Sequence, residues 1–229
     1  MKLYENIVRA EFISRPNRFI AICRVDGREE RCHVKNTGRC RELLVPGCRV
    51  ILCPGSGANR KTKFDLVAVY KGDMLVNMDS QAPNRVFGEY AGAGRFVGDA
   101  EIYLERKFGS SRFDFYMEKG PRRIICEVKG VTLEENGVCS FPDAPTLRGQ
   151  KHLRELTALA GQGYECRLVF IVQMAGMKYL RPNRENDPEF AACLEAAERG
   201  GVKITALECV VSEDSMTVRR ELPVRVGDE

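Results

Sequence analysis

The chain has 229 residues, 44% of them hydrophobic and 30% charged, and carries a net charge of +4. This is the balance of a soluble globular protein with room for one large domain or two smaller ones, and it excludes fibrous and low-complexity classes. No apolar run approaches the ~20 residues of a membrane span, and "MKLYENIVRAEF" has neither the apolar region nor the cleavage site of a signal peptide, so no membrane association and a cytoplasmic location are expected.

The first third reads as all-β. "FIAICRV" and "REERCHV" flank Asp26-Gly27, a pair suited to a two-residue hairpin turn because both positions tolerate positive φ. "KNTGRCREL" follows as turn chemistry or a helix start. "CRVILC" is a short strand that ends at Pro54-Gly55, and "KFDLVAVY" and "MLVNM" form a second hairpin. Five or so short strands in about eighty residues suit a small barrel, of which the OB-fold is the natural candidate. The basic excess also lies here: residues 1–83 hold 15 Lys and Arg against 9 Asp and Glu, net +6, whereas residues 84–229 hold 21 against 23, net −2.

Pro83 begins a change of style, and we place a domain boundary between residues 82 and 83. "PNRVFGEYAGAG" predicts a helix, followed by strands in "AEIYLERKF", "SRFDFYME" and "RRIICEVKGVTL". "APTLRGQKHLRELTALAGQG" predicts a helix opened by Thr146 and closed by Gly161 and Gly163. A buried strand "YECRLVFIVQM", a helix "DPEFAACLEAAERG" and a last strand "VKITALECVVS" complete the order. The series α, β, β, β, α, β, α, β predicts a mixed α/β sheet, so that the whole chain is α/β, or α+β overall. Ten cysteines occur without a CxxC pair. They are expected as small buried residues in a reduced compartment, with Cys32, His33 and Cys40 the nearest approach to a zinc ligand set.

The chemistry concentrates in "RRIICEVKGVTL". Glu127 and Lys129 stand at i and i+2 of an apolar strand and so share a face, and burying either charge is costly unless it is paired or bound to a metal. Asp114 lies thirteen residues upstream, in the strand expected to pair with this one through the turn at Gly120-Pro121. Two adjacent carboxylates call for a cation between them, and oxygen ligands favour Mg²⁺ or Mn²⁺. A lysine beside them would orient a water for attack on a phosphodiester. A core Glu–Lys ion pair of purely structural role is the plain alternative.

The D…(D/E)xK spacing resembles the PD-(D/E)xK nuclease core, although Phe113 stands where a proline usually precedes the aspartate, and the literal Pro142-Asp143 comes too late in the chain. "HVKNTGR", "RKTKFDL", "GSSRFDF", "EVKGVTL" and "FPDAPTLRGQKHLREL", in that order, resemble the sugar fermentation stimulation protein A family over nearly the whole chain. The resemblance implies an OB-like domain over 1–82 and a PD-(D/E)xK nuclease-like domain over 83–229. It implies a partner that is nucleic acid, DNA more than RNA, and the family name implies a regulatory link to sugar, especially maltose, metabolism. It assigns Asp114, Glu127 and the Val128 carbonyl to the metal and Lys129 to the water. Nuclease activity is the expected function, with a non-catalytic DNA-binding regulator as the alternative. The oligomeric state stays open, a dimer being one option.

Further candidates surround this set. Glu105 and Glu89 are additional acidic residues. Arg112, and the helical trio Arg148, Lys151 and His152 at i, i+3 and i+4, are candidate phosphate contacts. Asp143 is a helix cap or a ligand. In the first domain, Arg15, Arg18, Lys35, Asn36, Arg39, Arg60 and Lys61 are the nucleic-acid candidates, while Phe12, Phe19 and Phe64 are stacking or core aromatics.

Overall fold

A computed structural model of the chain describes residues 1–36, 38–55 and 60–227. The amino-terminal strands are β1 (Val8–Asn17), β2 (Ile20–Val25), β3 (Arg28–Val34), β4 (Arg49–Pro54), β5 (Phe64–Lys71) and β6 (Met74–Asn77). They run in the order β3-β2-β1-β4-β5-β6, and a parallel β3–β5 pairing closes the first five strands into an OB-like barrel. Asp26 and Gly27 take φ of 47° and 78°, the two positive values that a tight hairpin needs. Strand β1 was not among the expected elements. Its outward Arg9, Glu11 and Arg15 dilute the apolar alternation, and Pro16 argues against a strand. The register with β2 shifts between Ser14 and Asn17, so that proline interrupts no regular rung. The segment after β3 is a turn: Asn36 Oδ1 accepts the Gly38 N–H at 2.7 Å, while Thr37 lies outside the described residues.

The second half contains α1 (Ala82–Gly92), β7 (Glu101–Phe108), β8 (Ser111–Lys119), β9 (Arg122–Val131), β10 (Leu133–Glu135), β11 (Val138–Phe141), α2 (Leu147–Ala160), β12 (Glu165–Val172), β13 (Tyr179–Pro182), α3 (Pro188–Arg199), β14 (Lys203–Val211) and β15 (Met216–Leu222). The expected helix–strand series is present. Beyond it come the short β10, β11 and β13, which form a separate three-stranded sheet, and the polar edge strand β15. The main sheet runs β15-β14-β12-β9-β8-β7, parallel across β9, β12 and β14 and antiparallel at both margins. Thr146 caps α2 by accepting the Gly149 N–H. Buried Asp187 caps α3 through the Phe190 N–H and also takes the Thr146 N–H and the Gln150 amide, so one carboxylate fixes the starts of both helices.

The barrel and the α/β body share their apolar cores. One cluster joins barrel residues such as Phe12, Leu52 and Leu66 to Phe113, Leu153 and Phe190; the other joins Ile51 and Val67 to Phe87, Phe115 and Val128. A polar network bridges the seam. Gln173 Nε2 donates to the Asn77 carbonyl and side chain and to the Asp79 carbonyl, and fully buried Asp79 pairs with Lys35 at 2.9 Å. The first residues cross the seam as well, since the Leu3 and Tyr4 N–H groups donate to the Asp214 carbonyl. All ten cysteines are free thiols, eight of them buried.

Two expectations follow. A Cβ on Gly130 would lie 2.4 Å from Gln173 Oε1 and 2.7 Å from Pro83 Cγ, so Gly130→Ala should cost about 2 kcal/mol in urea unfolding through overpacking. Glu165, at the start of β12, is pushed upward by burial, but hydrogen bonds from Arg122 and Arg167 outweigh this and hold it at about 2 against an ordinary 4.5. Its contribution, on the order of 3 kcal/mol, is present above the unfolded value and lost as pH falls towards 2. Glu165→Gln should therefore lower stability at neutral pH and flatten the acid limb of stability against pH.

Candidate metal and nucleic-acid site

The β8–β9 ladder reaches Phe115↔Cys126 and stops, so Asp114 and Glu127 occupy the next rung without backbone pairing. Asp114 Oδ2 instead accepts the Val128 N–H at 2.8 Å, and its Oδ1 accepts from Asn84 Nδ2 on α1 at 2.8 Å. A strand residue presents its N–H and C=O to the same side, so the Val128 carbonyl faces the same gap. Glu127 is buried and turns towards α2. Its Oε1 receives Lys129 Nζ at 2.5 Å and hydrogen-bonds His152 Nδ1, while its Oε2 is buried with no hydrogen-bond partner.

The electrostatics of the two carboxylates diverge. Burial, then the charge of Glu127, pushes Asp114 above the usual carboxylate range, against the Val128 N–H, Asn84 and Lys129. Burial also pushes Glu127 upward, but the His152 hydrogen bond and the charge and hydrogen bond of Lys129 win, and Glu127 titrates below its ordinary value. The site thus combines a carboxylate held ionised with one that is uncomfortable as an anion. That pair and the unpartnered Glu127 Oε2 fit a hard divalent cation completed by the Val128 carbonyl and water. Among the described residues, no group of three or more His, Cys, Asp and Glu side chains is arranged to hold a metal, so carboxylates alone would not complete the coordination.

Several expected residues stand elsewhere. His152 is buried against Glu127 and not on an exposed face with Arg148 and Lys151, both of which are exposed. Glu89 is exposed and pairs with the Met1 amino group at 3.2 Å, and the α1 residue at the site is Asn84. Glu105 shares a cross-strand row with Asp114 between the pairs Leu104↔Phe115 and Arg106↔Phe113, yet its side chain is exposed and bonds Arg112. Asp143 neither caps α2 nor faces the carboxylates; it accepts the Arg39 N–H. Asn84, a polar residue in a helical first turn, had no signal in the sequence. The role of His152 was open to reading, since one of only two histidines falls on the buried face of α2.

In the barrel, Arg15 is spent on the carbonyls of Arg18, Asn36 and Arg39, and Lys35 on Asp79. Arg60 pairs with Asp65, which also meets His33. Arg18, Arg39 and Lys61 are exposed. Phe12 and Phe64 are buried, whereas Phe19 is 50% exposed.

His152→Phe should raise the pH at which Glu127 titrates. A carboxylate held below its unfolded value contributes stability that is present above that value and lost as pH falls. The variant should therefore lose about 1 kcal/mol at neutral pH, from a buried carboxylate oxygen losing one of its two partners while keeping Lys129, and the difference should close on acidification. Carboxyl carbon NMR titration and urea unfolding check both effects.

Comparison with known proteins follows the same division of the chain. Residues 13–78 match the SfsA N-terminal OB domain and residues 81–215 the sugar fermentation stimulation protein RE domain. A sugar fermentation stimulation protein homolog of Desulfitobacterium hafniense is 56% identical over 213 residues, covering 93% of each chain, and one of Clostridium beijerinckii is 49% identical, covering 94% of this chain and 96% of its own. The solved structure described as Pyrococcus furiosus SfsA in complex with Ca²⁺ superposes with a TM-score of 0.89 at 30% identity, covering 98% of this chain and 99% of that one. With a closed OB barrel before a mixed α/β sheet and both family domains matched in order, the chain belongs to the sugar fermentation stimulation protein (SfsA) family.

Proposed function

We propose that this protein binds nucleic acid, DNA in preference to RNA, and hydrolyses its phosphodiester bonds with the help of Mg²⁺ or Mn²⁺. The observation that carries the reading is Glu127 Oε2, buried and unpartnered beside an Asp114 whose negative charge is disfavoured. An acceptor oxygen in that state costs free energy unless something positive reaches it. The Ca²⁺ in the Pyrococcus furiosus relative supports the same reading, because Ca²⁺ is a hard cation that takes oxygen ligands. The OB domain supports nucleic acid as the partner.

Asp114, Glu127 and the Val128 carbonyl would hold the cation. Bound there, it would supply Lewis-acid charge to the phosphoryl oxygens and a lowered pKa to water. Lys129, mostly buried and on the same strand face as Glu127, positions the attacking water and places positive charge near the scissile phosphate. His152 is a positioning residue that fixes the Glu127 carboxylate. Arg148 and Lys151, exposed on α2, meet flanking phosphates. Asn84 and the Val128 N–H keep the Asp114 carboxylate aimed into the gap.

One observation favours a second reading, a DNA-binding regulator that does not cut. Lys129 and His152 both hold the same oxygen of Glu127, which satisfies that part of the site without any metal. A link to sugar metabolism rests on the family name alone.

Labelled single- and double-stranded DNA and RNA, incubated with Mg²⁺, Mn²⁺ or EDTA, separate the readings. Cleavage should need the metal, vanish in Glu127→Ala and fall by roughly 10²–10⁴-fold in Lys129→Met. Intact but retarded nucleic acid under every metal would establish the second reading.

A further inference from the structure

The loop after β3 is fastened to the entrances of two helices. At its start the Lys35 carbonyl accepts the Ser80 N–H at 2.9 Å, and Lys35 Nζ pairs with Asp79, so this end is tied to the residues that lead into α1. At its end the Arg39 N–H donates to Asp143 Oδ2 at 3.1 Å, shortly before the Thr146 cap of α2. The Asp143 carboxylate packs so closely here that a Cβ on Gly38 would collide with its Oδ2. From inside the barrel, Arg15 donates to the Asn36 and Arg39 carbonyls at 2.8 and 2.7 Å, which sets the loop before any ligand arrives. The helices it joins are those that aim the site: Asn84 of α1 bonds Asp114, and His152 of α2 bonds Glu127. Asp143 takes the main chain of Arg39 and leaves its guanidinium exposed, without a hydrogen bond or ion pair among the described residues. Arg148, in the first turn of α2, is exposed and unpaired in the same way. It precedes His152 by four residues, about 6 Å along the helix.

We infer that Asp143 is a positioning residue for the nucleic acid: it docks the barrel loop on the entrance to α2, so that Arg39 and Arg148 together grip one phosphate flanking the Asp114–Glu127 gap. The inference rests on the nucleic-acid reading above and adds a contact that neither half of the chain makes alone. Two guanidiniums brought to one helix entrance repel each other, and a phosphate between them turns that repulsion into two charge-assisted contacts. Arginine suits the task because its planar fork matches phosphate oxygens. A carboxylate beside a phosphate site is unfavourable by charge alone, so Asp143 is tolerated there for the loop it holds. The same bond ties phosphate capture to the helix that carries His152, and a strand gripped at this point lies about one helical turn from the residue that fixes Glu127.

Fluorescence anisotropy in EDTA over a series of salt concentrations, with labelled single-stranded DNA, duplex DNA and single-stranded RNA, tests the inference on whichever probe binds tightest. Arg39→Ala and Arg148→Ala should each weaken binding by roughly 10-fold and lower the salt slope by about one. Asp143→Ala should weaken it to the same extent, and adding Arg39→Ala to it should cost nothing more. Net charge predicts the opposite sign, since removing a carboxylate near phosphates strengthens their binding. Gly38→Ala, which pushes the loop off Asp143 with every charge unchanged, should reproduce the loss and decides the matter if Asp143→Ala fails to fold, as thermal unfolding will show. Unchanged or tighter binding in Asp143→Ala and Gly38→Ala, a further loss on combining Asp143→Ala with Arg39→Ala, or unchanged affinity in Arg39→Ala or Arg148→Ala would overturn the inference and leave the nucleic-acid reading intact. No binding of any probe by the wild type would overturn both.

Discussion

The site depends on one interruption. Strands β8 and β9 pair regularly from their shared turn to Phe115 and Cys126, and then β8 gives its Asp114 side chain to β9 where a backbone carbonyl would otherwise stand. The exchange frees a gap in the middle of a sheet without orphaning the Val128 amide. Everything else at the site addresses that gap: Asn84 from α1 steadies the aspartate, and His152 from α2 steadies Glu127. The two carboxylates are displaced in opposite directions because burial and the charge of Glu127 raise Asp114, whereas at Glu127 the bonds from His152 and Lys129 outweigh burial.

Much of this was legible in the residues. The Glu127–Lys129 spacing marks a strand face with an unusual cost, and Gly120-Pro121 makes Asp114 its hairpin neighbour. The Thr146 cap, the Asp26-Gly27 turn and the glycines after α2 were readable because each acts through local backbone chemistry. What was not legible is tertiary. Asn84 and Glu89 lie on the same helix, and only packing against β8 and the chain's first residue decides which of them meets Asp114. His152 shares an i+4 spacing with Arg148, yet four residues leave it about 40° round the helix, enough to carry it from the exposed face to the buried one. Arg15 and Lys35 looked like phosphate contacts because charge on a barrel suggests solvent. In the structure, carbonyls and Asp79 consume them.

The barrel's basic character is accordingly divided. Some cations are structural and hold loops or the seam, as Arg15 and Lys35 do, whereas Arg18, Arg28, Arg31, Arg39, Arg41, Lys61 and Lys63 are exposed. Sequence charge counts add the two kinds together. The modest excess of +6 in the first third is for this reason a poor guide to the strength of any phosphate contact, and a better one to where such contact takes place.

The seam between the halves carries a consequence of another kind. Tyr4, Asn77, Asp79 and Gln173 meet through a chain of hydrogen bonds, three of them on neighbouring stretches of the barrel side and one at the end of β12. Two apolar clusters pass through the same plane. Neither half is then a transplantable module: a barrel borrowed from a distant protein would arrive without the partners that Gln173 expects. Substitutions on one side of the plane therefore constrain, through these shared contacts, what the other side can accept.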